Sequence, residues 1–273
     1  MELIIKLRDQ LKRIEIFTHD QRLGVFGSVI ITVLAIGIMY YTPFQLLILP
    51  IVLVVNYFLL SKILVNRKQS HIITRLIRPS LWLLILYGYI FTIHIIFLIP
   101  ILWFVVACIV IGLGYYGILL QEFTSKPNVI LNNILQIILL IFGVSFASLA
   151  LAYWHWSTVI VMAVLWLSVL YLAITWLISF TNKPYIIASI WALIVVEIFW
   201  ITSRWINLYH IPKTSLLVSQ SALIVGALGY GFGGLYFHYK NKTLKLTLIF
   251  EYILVTAVVF MALMLLSKWS VAV

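Results

Sequence analysis

Residues 81–121 read LWLLILYGYIFTIHIIFLIPILWFVVACIVIGLGYYGILLQ, without one Asp, Glu, Lys or Arg. A helix needs roughly 20 apolar residues to cross about 30 Å of hydrocarbon at about 1.5 Å per residue. The run is therefore too long for one span. Pro100 stands at its middle, where it cannot continue a helix, so the stretch predicts two membrane helices joined as a tight hairpin.

The rest of the chain has the same character. Of 273 residues, 64% are hydrophobic and only 9% charged, with a mean hydropathy of +1.17. Soluble globular domains are usually about a quarter charged. A water-soluble enzyme domain, a disordered region and a disulfide scaffold are excluded. The one cysteine, Cys108, can form no internal disulfide and supplies no metal cluster. Nothing in the sequence calls for a metal or a cofactor.

Apolar runs near 24–41, 44–62, 81–99, 101–121, 129–152, 158–180, 185–203, 214–237 and 245–267 predict an all-α polytopic transmembrane helix bundle with about nine spans. The breaks combine proline, asparagine and charge, as at Lys126-Pro127-Asn128 and Asn182-Lys183-Pro184. Residues 24–267 form one transmembrane domain. Before it lies a basic cytoplasmic segment, 1–23, whose residues 1–17 suit an amphipathic helix, and after it a short external tail, 268–273. No cleavable secretory signal is visible, so the first span is expected to be retained.

Nine spans would put fifteen of the eighteen Lys and Arg residues on one side, leaving Arg204, Lys213 and Lys268 on the other. Positive charge is retained in the cytoplasm, which predicts an inside N-terminus and an outside C-terminus in a bacterial plasma membrane. The formal charge of +11 thus points to anionic lipid headgroups and not to nucleic acid. A second membrane protein or another copy of the chain is the other expected kind of partner.

Two hairpins echo each other. Ser80-Leu81-Trp82 compares with Ser189-Ile190-Trp191, and Gly112-Leu113-Gly114 with Gly229-Tyr230-Gly231. Both glycine clusters, Gly112/Gly114/Gly117 and Gly229/Gly231/Gly234, match G-x-G-x-x-G, but inside apolar helices rather than after a strand. Close helix packing is the physical reading, as at Gly229-x-x-x-Gly233.

Glu197-Ile198-Phe199-Trp200, Ile211-Pro212, Leu235-Tyr236-Phe237-His238, Phe250-Glu251-Tyr252 and Lys268-Trp269 resemble a family of uncharacterised polytopic membrane proteins from reduced-genome bacteria. That resemblance covers about a quarter of the chain and implies no activity. Gly233-Gly234-Leu235-Tyr236 is similar to the C-terminal rhythm of CAAX-type membrane proteases. Their catalysis depends on a double glutamate and two later histidines. Here Glu197 follows Val196, residues 225–229 hold no histidine, and Glu251 falls near the last histidine position. The resemblance implies a scaffold that has lost its protease chemistry. Ser203-Arg204 and His210 match only a fragment of the membrane phosphatidic acid phosphatase signature.

Ionisable side chains inside spans cost about 2.5–3.5 kcal/mol near a helix centre, so each is a candidate for function. Counting from span ends places His94, Glu197 and Gln220 in one outer layer, with Arg204 two turns beyond Glu197. They form the candidate ligand or proton site. Trp154, His155, Trp156, Trp205 and His210 would form an outer mouth, while Asn56, Asn132, Gln136 and Glu251 form an inner polar layer. A small-solute or proton-coupled carrier is the leading expectation. A non-catalytic membrane subunit and an intramembrane enzyme are the alternatives. The carrier predicts a watery cavity reaching Glu197 and His94; the subunit predicts packed polar groups and an apolar face open to a partner.

Overall fold

A computed structural model of the chain describes residues 19–39, 50–58, 60, 72–97, 100–123, 129–178, 180–181, 183–205, 208–210 and 217–266. The expected amphipathic helix at 1–17, most of the span at 44–62 and the tail at 268–273 lie outside the described residues. The helices are α1 (His19–Met39), α2 (Ile72–Phe97), α3 (Ile101–Phe123), α4 (Val129–Trp154), α5 (Thr158–Leu177), α6 (Pro184–Thr202), α7 (Gln220–Lys240) and α8 (Leu246–Leu266). A helical stretch also covers 50–58. Among the described residues six helices, α2 to α6 and α8, are long and apolar enough to cross a membrane. The chain is a multi-pass α-helical membrane protein.

Two element boundaries differ from the sequence reading. Helix α2 starts at Ile72 and runs through Pro79, so Arg75 and Arg78 lie in the helix and not in a loop. Helix α7 starts at Gln220, because Leu217–Ser219 forms strand β2, paired antiparallel with β1 (Leu208–His210). Ser219 then caps α7, its Oγ accepting from the Ala222 amide at 3.2 Å. At its other end α7 closes in a Schellman motif. Lys242 takes a left-handed φ of 54°, and the Thr243 and Lys242 amides donate to the His238 and Tyr239 carbonyls at 3.0 and 3.2 Å.

The chain divides into two compact units, Met1–Tyr87 with Phe104–Asn132, and Gly88–Trp103 with Asn133–Val273. In the first unit α3 is grooved by glycine. A Cβ on Gly112 would meet Val33 of α1 at 2.5 Å, and one on Gly114 would strike the Trp82 ring of α2. Asn56 Nδ2 donates to Thr32 Oγ1 at 3.0 Å, which ties the 50–58 stretch to α1.

The second unit is built around α7. Its core joins Val144 and Ala147 of α4, Leu165 and Val169 of α5, Ala192, Val195 and Phe199 of α6, and Ala222 and Val225 of α7. Glycines let α7 take neighbours on several sides. A Cβ on Gly226 would meet Ile141 at 2.7 Å, one on Gly231 would meet Thr256 Oγ1 at 2.6 Å, and one on Gly234 would strike the Tyr252 ring. The closest approaches thus fall at Gly231 and Gly234, against α8, more than at the Gly229/Gly233 pair. Trp191 lies over Gly229 with 3.8 Å to its virtual Cβ. Leu140, at 3.4 Å, is nearer still, so Gly229 meets its neighbours at ordinary contact distance and does not repeat the close Trp82–Gly114 approach of the other hairpin. Close backbone approach is what holds membrane helices together, since lipid is as apolar as leucine.

Gly234→Val should lower the thermal midpoint of the detergent-solubilised protein, by the equivalent of about 1–3 kcal/mol of overpacking. Gly37 has nothing within 4 Å of its virtual Cβ, so Gly37→Ala should be neutral or slightly stabilising. Equal effects at both positions would contradict the packing assigned to α7 and α8.

Candidate functional site

The expected outer layer splits by face. Successive residues on a helix turn by about 100°. The buried side of α6 is Ala188, Ala192, Val195, Val196 and Phe199, and Glu197 projects about 180° from Ala188. Glu197 is exposed, on one stripe with Ile190 and Leu193, which are 54% and 52% exposed. Among the described residues it makes no hydrogen bond or ion pair. Arg204 is exposed in the 3-10 turn Ser203–Trp205, and its guanidinium lies over the Trp200 ring at 5.2 Å. His94 in α2 and Gln220 at the start of α7 are buried. No described bond joins Glu197 to His94, Gln220 or Arg204.

What fills the buried polar layer of this unit is the hairpin. Tyr89 Oη donates to the Leu217 carbonyl at 2.6 Å, and the Ser219 amide donates to Ser145 Oγ at 3.4 Å. The Thr202 and Ser221 hydroxyls share a hydrogen bond at 2.7 Å. Strand β2 is thereby pinned against α2 and α4, and the start of α7 is tied to the end of α6. Tyr89 also meets Phe142 edge-on at 4.9 Å. None of these groups belonged to the expected site. Serine and threonine in apolar helices read as neutral filler unless their partner is known.

Of the expected mouth, Trp154 and Trp156 stack edge to face at 5.5 Å, with Phe91 on the far side of Trp154 at 5.8 Å. His155 has a left-handed φ of 51° just beyond the end of α4, and the following Trp156 amide donates back to the Ala150 carbonyl at 3.3 Å. His155 thus turns the chain out of α4. His210 pairs with Leu217 in the hairpin; its side chain and that of Trp205 lie outside the described residues.

The inner layer is also divided. In the first unit Arg78 is 5% exposed, and its Nη1 donates to Glu122 Oε1 at 3.1 Å, the latter residue 17% exposed. Its Nη2 donates to Asn132 Oδ1. This is the one ion pair among the described residues, and it clamps α2, α3 and α4. In the second unit Trp176 Nε1 donates to Asn133 Oδ1, and Gln136 Nε2 donates to Thr175 Oγ1 at 3.4 Å, both between α4 and α5. Glu251 is exposed on α8. Among the described residues no group of three His, Cys, Asp or Glu side chains is placed to hold a metal ion.

Sequence symmetry carries the Arg78–Glu122 pair. Arg78 lies 22 residues before Pro100 and Glu122 lies 22 after it, and in an antiparallel hairpin equidistant residues meet. Comparison with protein-family models, with characterised proteins and with solved structures gives no match to this chain. The two family resemblances rest on the residues quoted for them alone.

Removing one partner of a buried ion pair costs up to about 3–5 kcal/mol, less here because Glu122 is partly exposed. Arg78→Leu should therefore lower the unfolding midpoint strongly, and Arg78→Leu with Glu122→Leu should recover part of the loss. Additive losses in this cycle would show that the two side chains do not interact.

Proposed function

We propose that this chain is a non-catalytic integral membrane subunit that completes an assembly with another membrane protein through the Glu197 face of α6. The observation that carries this reading is the exposure of a carboxyl group among apolar side chains on a membrane-spanning helix. Ionisable side chains within spans almost always face a bundle interior or a watery cavity, where partners exist. Glu197 instead looks away from the core of its own unit. A covering protein gives it the partner that lipid cannot.

The orientation belongs to the same proposal. With nine spans and basic loops inside, the N-terminus is cytoplasmic, the membrane is the bacterial plasma membrane, and the Thr202 end of α6 faces out. The carrier remains the second reading, favoured by the burial of His94 and Gln220 within one unit. It needs water to reach them.

A photo-crosslinking amino acid at position 193, in membranes of cells making the chain at native level, tests the leading reading. Position 254 on α8, 65% exposed, serves as comparison. Protein adducts at 193 with lipid adducts at 254 are expected. Lipid adducts alone at both positions would overturn the assignment.

A further inference from the structure

We infer that the occupant of the α6 face is a transmembrane helix of another protein carrying a lysine or arginine level with Glu197. This rests on the subunit reading and names the chemistry of its partner. Glu197 lies five residues before the end of α6 at Thr202, about 7.5 Å along the axis. Its neighbours on the stripe, Ile190 and Leu193, are exposed and apolar, and among the described residues no side chain donates to the Glu197 carboxyl. The chain's own cation on that face, Arg204, is turned onto the Trp200 ring at 5.2 Å. It makes no ion pair with Glu197 among the described residues.

Symmetry argues against a second copy. Two copies inserted in the same orientation are related by an axis along the membrane normal, which brings each residue to the depth of its counterpart. In a two-fold pair through this face Glu197 would then meet Glu197 and Arg204 would meet Arg204, like charge against like charge at both levels. A foreign helix is free of that constraint. A basic side chain at the right depth supplies both the donor and the opposite charge, and the apolar stripe supplies the packing on either side.

Designed helices of leucine and alanine test this directly. Each carries a single Lys, Glu or Leu about 7.5 Å from the end that matches Thr202. They are reconstituted in vesicles with the purified full chain, labelled through Ile190→Cys in a Cys108→Ala background, and association is read by energy transfer. The Lys helix should associate more tightly than the Leu and Glu helices, by about three- to tenfold, the factor of one interhelical polar contact. Glu197→Gln should remove the advantage, and Glu197→Lys should transfer it to the Glu helix, with all variants remaining monodisperse. Equal association of the Lys and Leu helices would overturn the charge assignment while leaving the docking face standing. Energy transfer between two copies labelled at position 190, exceeding that to the Lys helix, would make the occupant a second copy and overturn it too. Loss of the protein adducts at 193 would instead remove the subunit reading itself.

Discussion

Hydrocarbon offers no hydrogen bonds, and that one constraint orders most of this molecule. Backbone groups are satisfied by helices. The hydroxyls inside them turn back on the preceding turn, as Thr32 does to Ser28, Thr92 to Gly88 and Ser148 to Val144, at 2.8, 2.8 and 3.0 Å. Stronger polar groups find partners across helices: Arg78 with Glu122 and Asn132, Tyr89 with the Leu217 carbonyl. Even the short β-hairpin obeys the rule, since the Ser219 amide is taken up by Ser145. Glu197 on α6 and Glu251 on α8, both exposed on membrane-length helices, depart from it, and the functional reading rests on Glu197.

Packing follows from the same absence. With no hydrophobic effect between helices in lipid, contact must come from shape. Helix α7 answers with glycines whose missing Cβ atoms are replaced by Ile141, Thr256 and the Tyr252 ring. That composition also explains why α7 is not one of the six helices apolar enough to count as spans. The G-x-G-x-x-G pattern is thus a docking surface for neighbouring helices.

Apolar run lengths made the helices legible, most within a few residues of their ends. The exceptions have identifiable causes. Arg75, Arg78 and Pro79 lie outside the apolar run 81–99, whereas the helix carries all three, Arg78 being matched by Glu122. Leu216-Leu217-Val218 reads as the start of a span, whereas pairing with Leu208–His210 makes it a strand. Counting gave Glu197 its depth but not its face. Ala188 and Ala192, four apart, are the small residues that mark the packed side of α6, and they put Glu197 opposite. The hairpin anchors Tyr89, Ser145 and Ser219 were illegible, because their partners lie far away along the chain.

If α6 docks another membrane protein as proposed, its Glu197 face meets apolar surroundings and not an aqueous cavity. A nitroxide attached through Leu193→Cys, in the Cys108→Ala protein reconstituted alone in bilayers, reports this by its collisions with dissolved oxygen and with a water-soluble nickel chelate. Frequent oxygen collisions and few nickel collisions are expected, the signature of a lipid-facing site awaiting a protein partner. Frequent nickel collisions would place water along α6 and return the chain to the carrier reading.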